Sequence, residues 1–283
     1  MSRIKKAVIP VSGYGTRLLP ITKSLPKEIL PIVDIPAINY LIKEAVDSGI
    51  EDILIICNYD KEVIEKYFEP NKKLEERISD NKTLLKKLNS TNLDVKLHFI
   101  YEAKPIGNAK TLLLAKKFVG NEPFAVMFAD DIIKSKVPAL KQLIDIYDEY
   151  AFNVIGVQKI DTDLLSNYGI VKFKNFSKKI VSNIVEKPDK KSAPSNYAVI
   201  GRYILNPEIF YEIENMNKRG KEYYLTDAIE ELMQYQLTHA CIIDGDYYDT
   251  GSKLGYIKAI TSYALDDKEI KEEYSKYLKE IIR

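Results

Sequence analysis

Apolar positions in this chain fall into short unbroken runs, separated by stretches where they recur every three or four residues. Residues 7–11 form the first run, Ile38, Leu41, Ile42, Ala45 and Val46 then recur at helical spacing up to Gly49, and residues 53–57 form a second run. Residues 95–101 and 124–128 read as further strands, while 60–68, 111–118 and 140–147 read as helices. The charged segment 71–88 reads as an exposed helix. Parallel strands need crossover connections, and the helices that make them cover the sheet, so this alternation predicts a Rossmann-like α/β fold with a mostly parallel central sheet flanked by helices. The second half differs. Residues 153–158, 169–173, 180–185 and 197–205 are β-rich between polar turns and predict a small antiparallel or mixed extension. Helical spacing returns at 207–216, 225–235, 253–265 and 267–282, where Ile270, Tyr274, Tyr277, Leu278 and Ile281 make one stripe. The expected organisation is one domain over 1–265, with a first part to about 150 and a second from about 151, followed by a helical tail over 266–283.

The totals narrow the function. A chain of 283 residues with 46% hydrophobic content fills a sizeable core. Lys and Arg number 42 against 41 Asp and Glu, so no net field draws the protein to nucleic acid or to an anionic membrane, and any binding of anions must come from local clusters. The 20 Tyr and 9 Phe are too scattered to form a nucleic-acid platform. No apolar run approaches the roughly 20 residues of a membrane span, and neither a signal peptide nor an anchor is expected. Cys57 and Cys241 both sit in apolar runs, as reduced core thiols of a cytoplasmic protein do.

One local cluster follows the first strand. Gly13, Gly15 and Thr16 lead into Arg17, Lys23 and Lys27, with Pro20, Pro26, Pro31 and Pro36 spaced through the same stretch. Glycines after a buried strand let a phosphate chain approach the backbone closely. A dinucleotide-binding turn would need a third glycine at Leu18 and an immediate helix, which the prolines forbid. A Walker loop would close on Gly-Lys-Ser/Thr, which is missing. What remains is a proline-braced loop carrying three cations.

The stretch 7–58, with Gly13-Tyr14-Gly15-Thr16-Arg17, Pro26-Lys27-Glu28-Ile29-Leu30-Pro31 and Ile32-Val33-Asp34, resembles the signature of bacterial UTP:glucose-1-phosphate uridylyltransferases, within the sugar nucleotidyltransferase superfamily. The likeness continues at 124–131, Tyr168-Gly169, Val185-Glu186-Lys187-Pro188, Gly201-Arg202-Tyr203, 225–229 and 248–255. It implies transfer of a uridylyl group from UTP to glucose 1-phosphate, giving UDP-glucose and pyrophosphate, with Mg²⁺ as cofactor and a homo-oligomer, dimer or tetramer, as the assembly.

In such a reaction the attacking phosphate is already largely ionised at neutral pH, since its second pKa is about 6, so no general base is needed. The obstacle is repulsion between anions, worth about 4 kcal/mol for unit charges roughly 4 Å apart at an effective dielectric near 20. By resemblance Arg17 and Lys27 hold the triphosphate, Lys187 grips the sugar phosphate, and Val11, Ser12, Gly13, Gly15, Thr16, Glu102 and Gly107 surround the nucleotide. Tyr168, Gly169, Glu186 and Gly201 line the sugar side, and Asp130 with Asp249 holds the metal, Asp131 lying behind them. His98 and His239 read as structural. The chain departs from the family at Glu102, where a glutamine usually reads the uracil edge. A carboxylate accepts a hydrogen bond but cannot donate one, which leaves dTTP or CTP open as the nucleotide, and an inactive sugar-nucleotide-binding regulatory paralogue is the alternative of another class.

Overall fold

The computed structural model describes residues 4–218 and 222–282. Its first half runs β1 (Lys6–Pro10), a two-residue pair β2 (Pro31–Ile32) and β3 (Ile35–Pro36), α1 (Ala37–Asp47), β4 (Asp52–Asn58), α2 (Glu62–Phe68), α3 (Lys72–Arg77), α4 (Lys82–Leu88), β5 (Lys96–Glu102), α5 (Asn108–Leu112), α6 (Lys116–Val119) and β6 (Phe124–Met127). The second half runs β7 (Asp131–Lys134), α7 (Ala139–Tyr150), β8 (Asn153–Lys159), β9 (Gly169–Asn175), β10 (Ile180–Glu186), β11 (Tyr197–Leu205), α8 (Ile209–Asn215), α9 (Leu225–Leu232), β12 (Thr238–Ile242), β13 (Asp246–Asp249), α10 (Lys253–Ala264) and α11 (Lys271–Ile281).

Nine strands form one sheet in the order β5-β4-β1-β6-β11-β8-β12-β10-β9. Strands β5, β4, β1 and β6 are parallel neighbours, as the alternating pattern predicts. From β6 onward neighbours are antiparallel except for β8 and β12. The antiparallel strands therefore continue the central sheet, and β9 also touches β11, curling that end towards closure. Alternate side chains of each strand enter opposite cores. Ala7, Ile9, Ile53, Ile55, Ala125 and Met127 pack against α1 and α7, whereas Val8, Leu54, Ile56, Phe124 and Val126 pack against α5, α8 and α9. A stacked Phe124–Phe210 pair, with centroids 5.3 Å apart, marks the second core.

Segment 71–88 departs from the single helix predicted. The Asn71 side chain caps α3 at Leu74 N–H, and Asn81 caps α4 in the same way at Leu84 N–H, each at 3.1 Å. The second asparagine starts a new helix where periodicity alone suggested continuation. The helix expected over 111–118 begins earlier, at Asn108, and is interrupted by a 3-10 turn at Leu113–Ala115.

Candidate active site

After β1 the chain makes three short 3-10 turns, Thr16–Leu18, Ile21–Lys23 and Lys27–Ile29. Gly15 adopts φ 65°, a left-handed conformation that glycine takes without a steric penalty, and its carbonyl accepts the Thr22 hydroxyl at 2.9 Å. Pro20 and Pro26 open the second and third turns. Beneath the loop, Lys61 donates to both carboxylate oxygens of Glu28 at 3.0 and 2.8 Å, and the two residues are only 5% and 1% exposed. This buried pair fixes the residue next to Lys27.

Asp130 leaves the same edge of the sheet, just after β6, which runs parallel beside β1. Arg202, on the same face of β11 as Ile200 and Ile204, is fully buried and paired with Glu44 of α1 through two bonds of 2.8 Å. Its remaining donors reach the carbonyls of Phe128 at 3.3 Å and Asp131 at 2.8 Å, so one guanidinium holds the backbone on both sides of Asp130. The ribbon β7–β13 sets Asp249 opposite Asp131, and Thr250 donates its N–H and hydroxyl to the Asp130 carbonyl at 2.7 and 2.9 Å.

Loop and carboxylates meet. Lys27 Nζ lies 2.7 Å from Asp130 Oδ2, and Arg17 reaches Asp249 at 3.0 Å and Asp130 at 3.4 Å. A Cβ on Gly251 would stand 2.4 Å from Arg17 Nη2, 2.9 Å from Asp130 Oδ2 and 3.0 Å from Asp249 Oδ1. The two carboxylate oxygens, measured from that shared point, are thus no more than about 6 Å apart. Burial works against the Lys27 ammonium, but Asp130 and Glu28 outweigh it and hold its pKa above the ordinary value. Burial likewise pushes Asp130 up, and Lys27 with Arg17 more than reverses it, leaving that carboxyl below the usual range. For Asp131, burial and the neighbouring Asp130 charge act together and raise it to about 7.

A cleft of about 770 Å³ opens beside this cluster. Ser12, Gly13, Thr16, Arg17, Lys27 and Gly107 line it from the first half, and Asp130, Asp249, Tyr168, Gly169, Glu186, Lys187 and Gly201 from the second. The register that pairs Gly169 with Glu186 brings the start of β9 and the end of β10 to this rim. Glu186 Oε2 accepts the Thr226 hydroxyl at 2.8 Å, and Lys187, in a left-handed conformation at φ 45°, donates its N–H to the Tyr168 carbonyl at 3.0 Å. Its Nζ rests 3.3 Å from Glu186 and 4.7 Å from the centre of the Tyr224 ring. Gly107, at φ 137°, passes so close to Tyr223 that a Cβ would stand 2.4 Å from its backbone nitrogen.

Three expected nucleotide residues are not on the cleft wall: Val11, which is buried with its N–H on the Ile56 carbonyl, Gly15, and Glu102, whose carboxylate accepts the Thr111 hydroxyl at 2.8 Å. Thr111 itself lines the cleft. His98 pairs with Asp52 on an exposed edge and His239 packs beside Tyr150, both away from the cleft. Sequence reading assigned no role to Arg202, Thr226, Lys61 or Tyr247, whose hydroxyl donates to Asp131. Their signal was polarity at positions where strand or helix periodicity calls for burial.

The Nucleotidyl transferase family model matches residues 6–265. A UTP–glucose-1-phosphate uridylyltransferase of Staphylococcus haemolyticus is 42% identical over 286 residues, covering 99% of both chains. Among solved structures, a UTP-bound UGPase from Acinetobacter baumannii superposes with a TM-score of 0.91 at 36% identity, covering 98% of this chain and 99% of that one. A UDP-glucose pyrophosphorylase complexed with UDP-glucose gives 0.85 at 34% identity, over 93% and 100%. With the anion loop, the facing carboxylates and the whole length of the chain in agreement, the protein belongs to the nucleotidyl transferase family, in its group of UTP–glucose-1-phosphate uridylyltransferases.

Proposed function

We propose that the protein transfers the uridylyl group of UTP to glucose 1-phosphate. A phosphate oxygen of the sugar attacks the α-phosphorus in line, a new P–O bond forms, the bond to the β-phosphate bridge breaks, and UDP-glucose and pyrophosphate leave. The observation that carries this reading is the meeting of Arg17 and Lys27 with Asp130 and Asp249 at one rim of the cleft. Fixed cations at that point offset the repulsion between the two phosphates without reorganising during reaction.

Asp130 and Asp249 turn toward one point beside Arg17 and Lys27, and Mg²⁺, which keeps several waters, takes one or two protein carboxylates together with substrate phosphates. Asp130 and Asp249 would hold it, and the ion when bound supplies further neutralisation of the triphosphate. Arg17 now bridges these two carboxylates and Lys27 sits on one of them, so both cations are close enough to pass to phosphate oxygens. Lys187 is placed to leave Glu186 and Tyr224 for the sugar phosphate, while Glu186, oriented by Thr226, accepts from sugar hydroxyls. The first part of the chain, to about residue 150, serves the nucleotide and the part over 151–265 the sugar phosphate.

Exposed apolar side chains on α10 and α11, among them Leu254, Ile257, Tyr277 and Ile281, support a homo-oligomer. Two buried free cysteines, and no helix among the described residues long and apolar enough to cross a membrane, support residence in the cytoplasm. The test is pyrophosphate release from glucose 1-phosphate with each of UTP, dTTP, CTP and ATP, with and without Mg²⁺. Preference for UTP, and loss of turnover by orders of magnitude in Asp130→Ala with unchanged thermal unfolding, is the expected result. Equal turnover without the divalent ion, or in that variant, overturns the reading.

A further inference from the structure

The β9–β10 hairpin ends in a tip that the reaction does not use. Between Asp163 and Glu186 the chain carries Lys172, Lys174, Lys178 and Lys179 and no acid, against a net charge of only +1 for the whole protein. Lys172, Lys174 and Lys178 are exposed and Lys179 is half-buried, and Phe176 among them is 48% exposed. The tip is well formed. The Asn175 side chain accepts from Lys178 N–H at 3.0 Å and from the Ser177 hydroxyl at 2.8 Å, the Lys179 carbonyl accepts from Ala240 of β12 at 2.8 Å, and Lys179 Nζ stands 3.6 Å over the Phe176 ring. That ring also meets the rings of Phe173 and Tyr197, so an aromatic foot is held at the very end of the hairpin.

Position gives the tip its meaning. Gly169 and Glu186, which line the cleft, pair at one end of the hairpin, and Asn175 and Ile180 pair at the other. Seven residues of strand at about 3.3 Å each put the tip roughly 20 Å from the cleft, at the opposite end of the sheet. A surface met by the tip leaves the cleft facing solvent. Near-zero net charge predicts no attraction to anions for the chain as a whole, but at physiological salt only charges within about 8 Å of a surface act on it, and the hairpin itself carries lysines and no acid.

We propose that this lysine–phenylalanine tip docks the enzyme peripherally on an anionic lipid bilayer. The partner class follows from the chemistry. The tip is the turn of a hairpin rather than a groove between elements, so it encloses no peptide. Its cations are all lysines, hydrated point charges suited to a diffuse negative surface, with no arginine to fork onto nucleic-acid phosphates or base edges. An exposed aromatic ring flanked by lysines fits the headgroup boundary, where an apolar body sinks and ammonium groups stay in water.

The test is flotation of the full-length protein with vesicles of phosphatidylcholine alone, and with about 30% phosphatidylglycerol added. Binding to the anionic vesicles only, reversed by high salt, is expected. Each lysine near such a surface contributes about fivefold in partitioning, so Lys174→Ser/Lys178→Ser/Lys179→Ser should lose roughly 100-fold. Phe176→Ser should weaken binding with the salt dependence retained. Turnover should stay at the wild-type value in both variants, because the tip is remote from the cleft. Equal partitioning to both vesicle types, undiminished binding in the triple variant, or tighter binding to poly(U) RNA than to vesicles at equal phosphate concentration overturns the proposal.

Discussion

Gly251 stands at the electrostatic centre of the site, and adding one methyl group there tests the whole arrangement. Its φ is not in the left-handed region, so alanine fits the backbone, but the new Cβ would stand 2.4 Å from Arg17 Nη2. Ordinary contact begins near 3.4 Å, so the guanidinium must withdraw by about 1 Å. That atom is the end of a flexible, half-exposed side chain, and the Asp130 and Asp249 oxygens, at 2.9 and 3.0 Å from the new Cβ, must give by a smaller amount. Misplacing a catalytic group by 1 Å costs on the order of 100-fold in rate. Gly251→Ala should therefore lower kcat for UDP-glucose formation about 100-fold while its unfolding temperature stays within roughly 2 °C of wild type, since each kcal/mol moves a chain of this size by about 2–4 °C. Steady-state pyrophosphate release and a thermal melt decide it. Full turnover in Gly251→Ala would show that Arg17 need not occupy this position, and the role assigned to it beside Asp130 and Asp249 would be wrong.

Gly13 makes the opposite case, because a Cβ there meets no protein atom within 4 Å. Gly13→Ala should leave stability unchanged and raise KM for UTP at least tenfold, the loss coming from collision with bound nucleotide; an unchanged KM places the triphosphate elsewhere. Lys61→Met leaves Glu28 buried without its partner and should cost about 3–5 kcal/mol in urea unfolding, with much of it recovered in the double variant Lys61→Met/Glu28→Leu. Asp131 gives a pH test. Its folded pKa is raised from 3.8 to about 7, so between those values the folded state holds a proton that the unfolded state has released, and stability falls as pH rises through this window. Urea midpoints of the ligand-free wild type should drop more steeply than those of Asp131→Asn from about pH 4 to 7; parallel curves refute the buried, charge-opposed environment assigned to Asp131.

Much of this molecule could be read one residue at a time. The runs at β1, β4 and β6 are apolar because both faces of a parallel strand are covered, and the prolines after Gly15 exclude a helix through φ alone, so the first half of the sheet and the anion loop follow from local rules. The cap at Asn81 is equally local, and was missed because an asparagine in a charged stretch also passes for a solvated residue.

What the tertiary structure alone decided is the pairing of charges far apart in the chain. Arg17 and Asp249 are separated by 232 positions, Lys27 and Asp130 by 103, and Arg202 and Glu44 by 158. In sequence Glu44 is a polar residue of an amphipathic helix and Arg202 an interruption in a strand; only their meeting between α1 and β11 shows that each neutralises the other in the core. Local pattern reports whether a side chain wants water, whereas the choice of a buried charge's partner depends on which strands lie side by side, and sheet order is fixed by the whole chain at once.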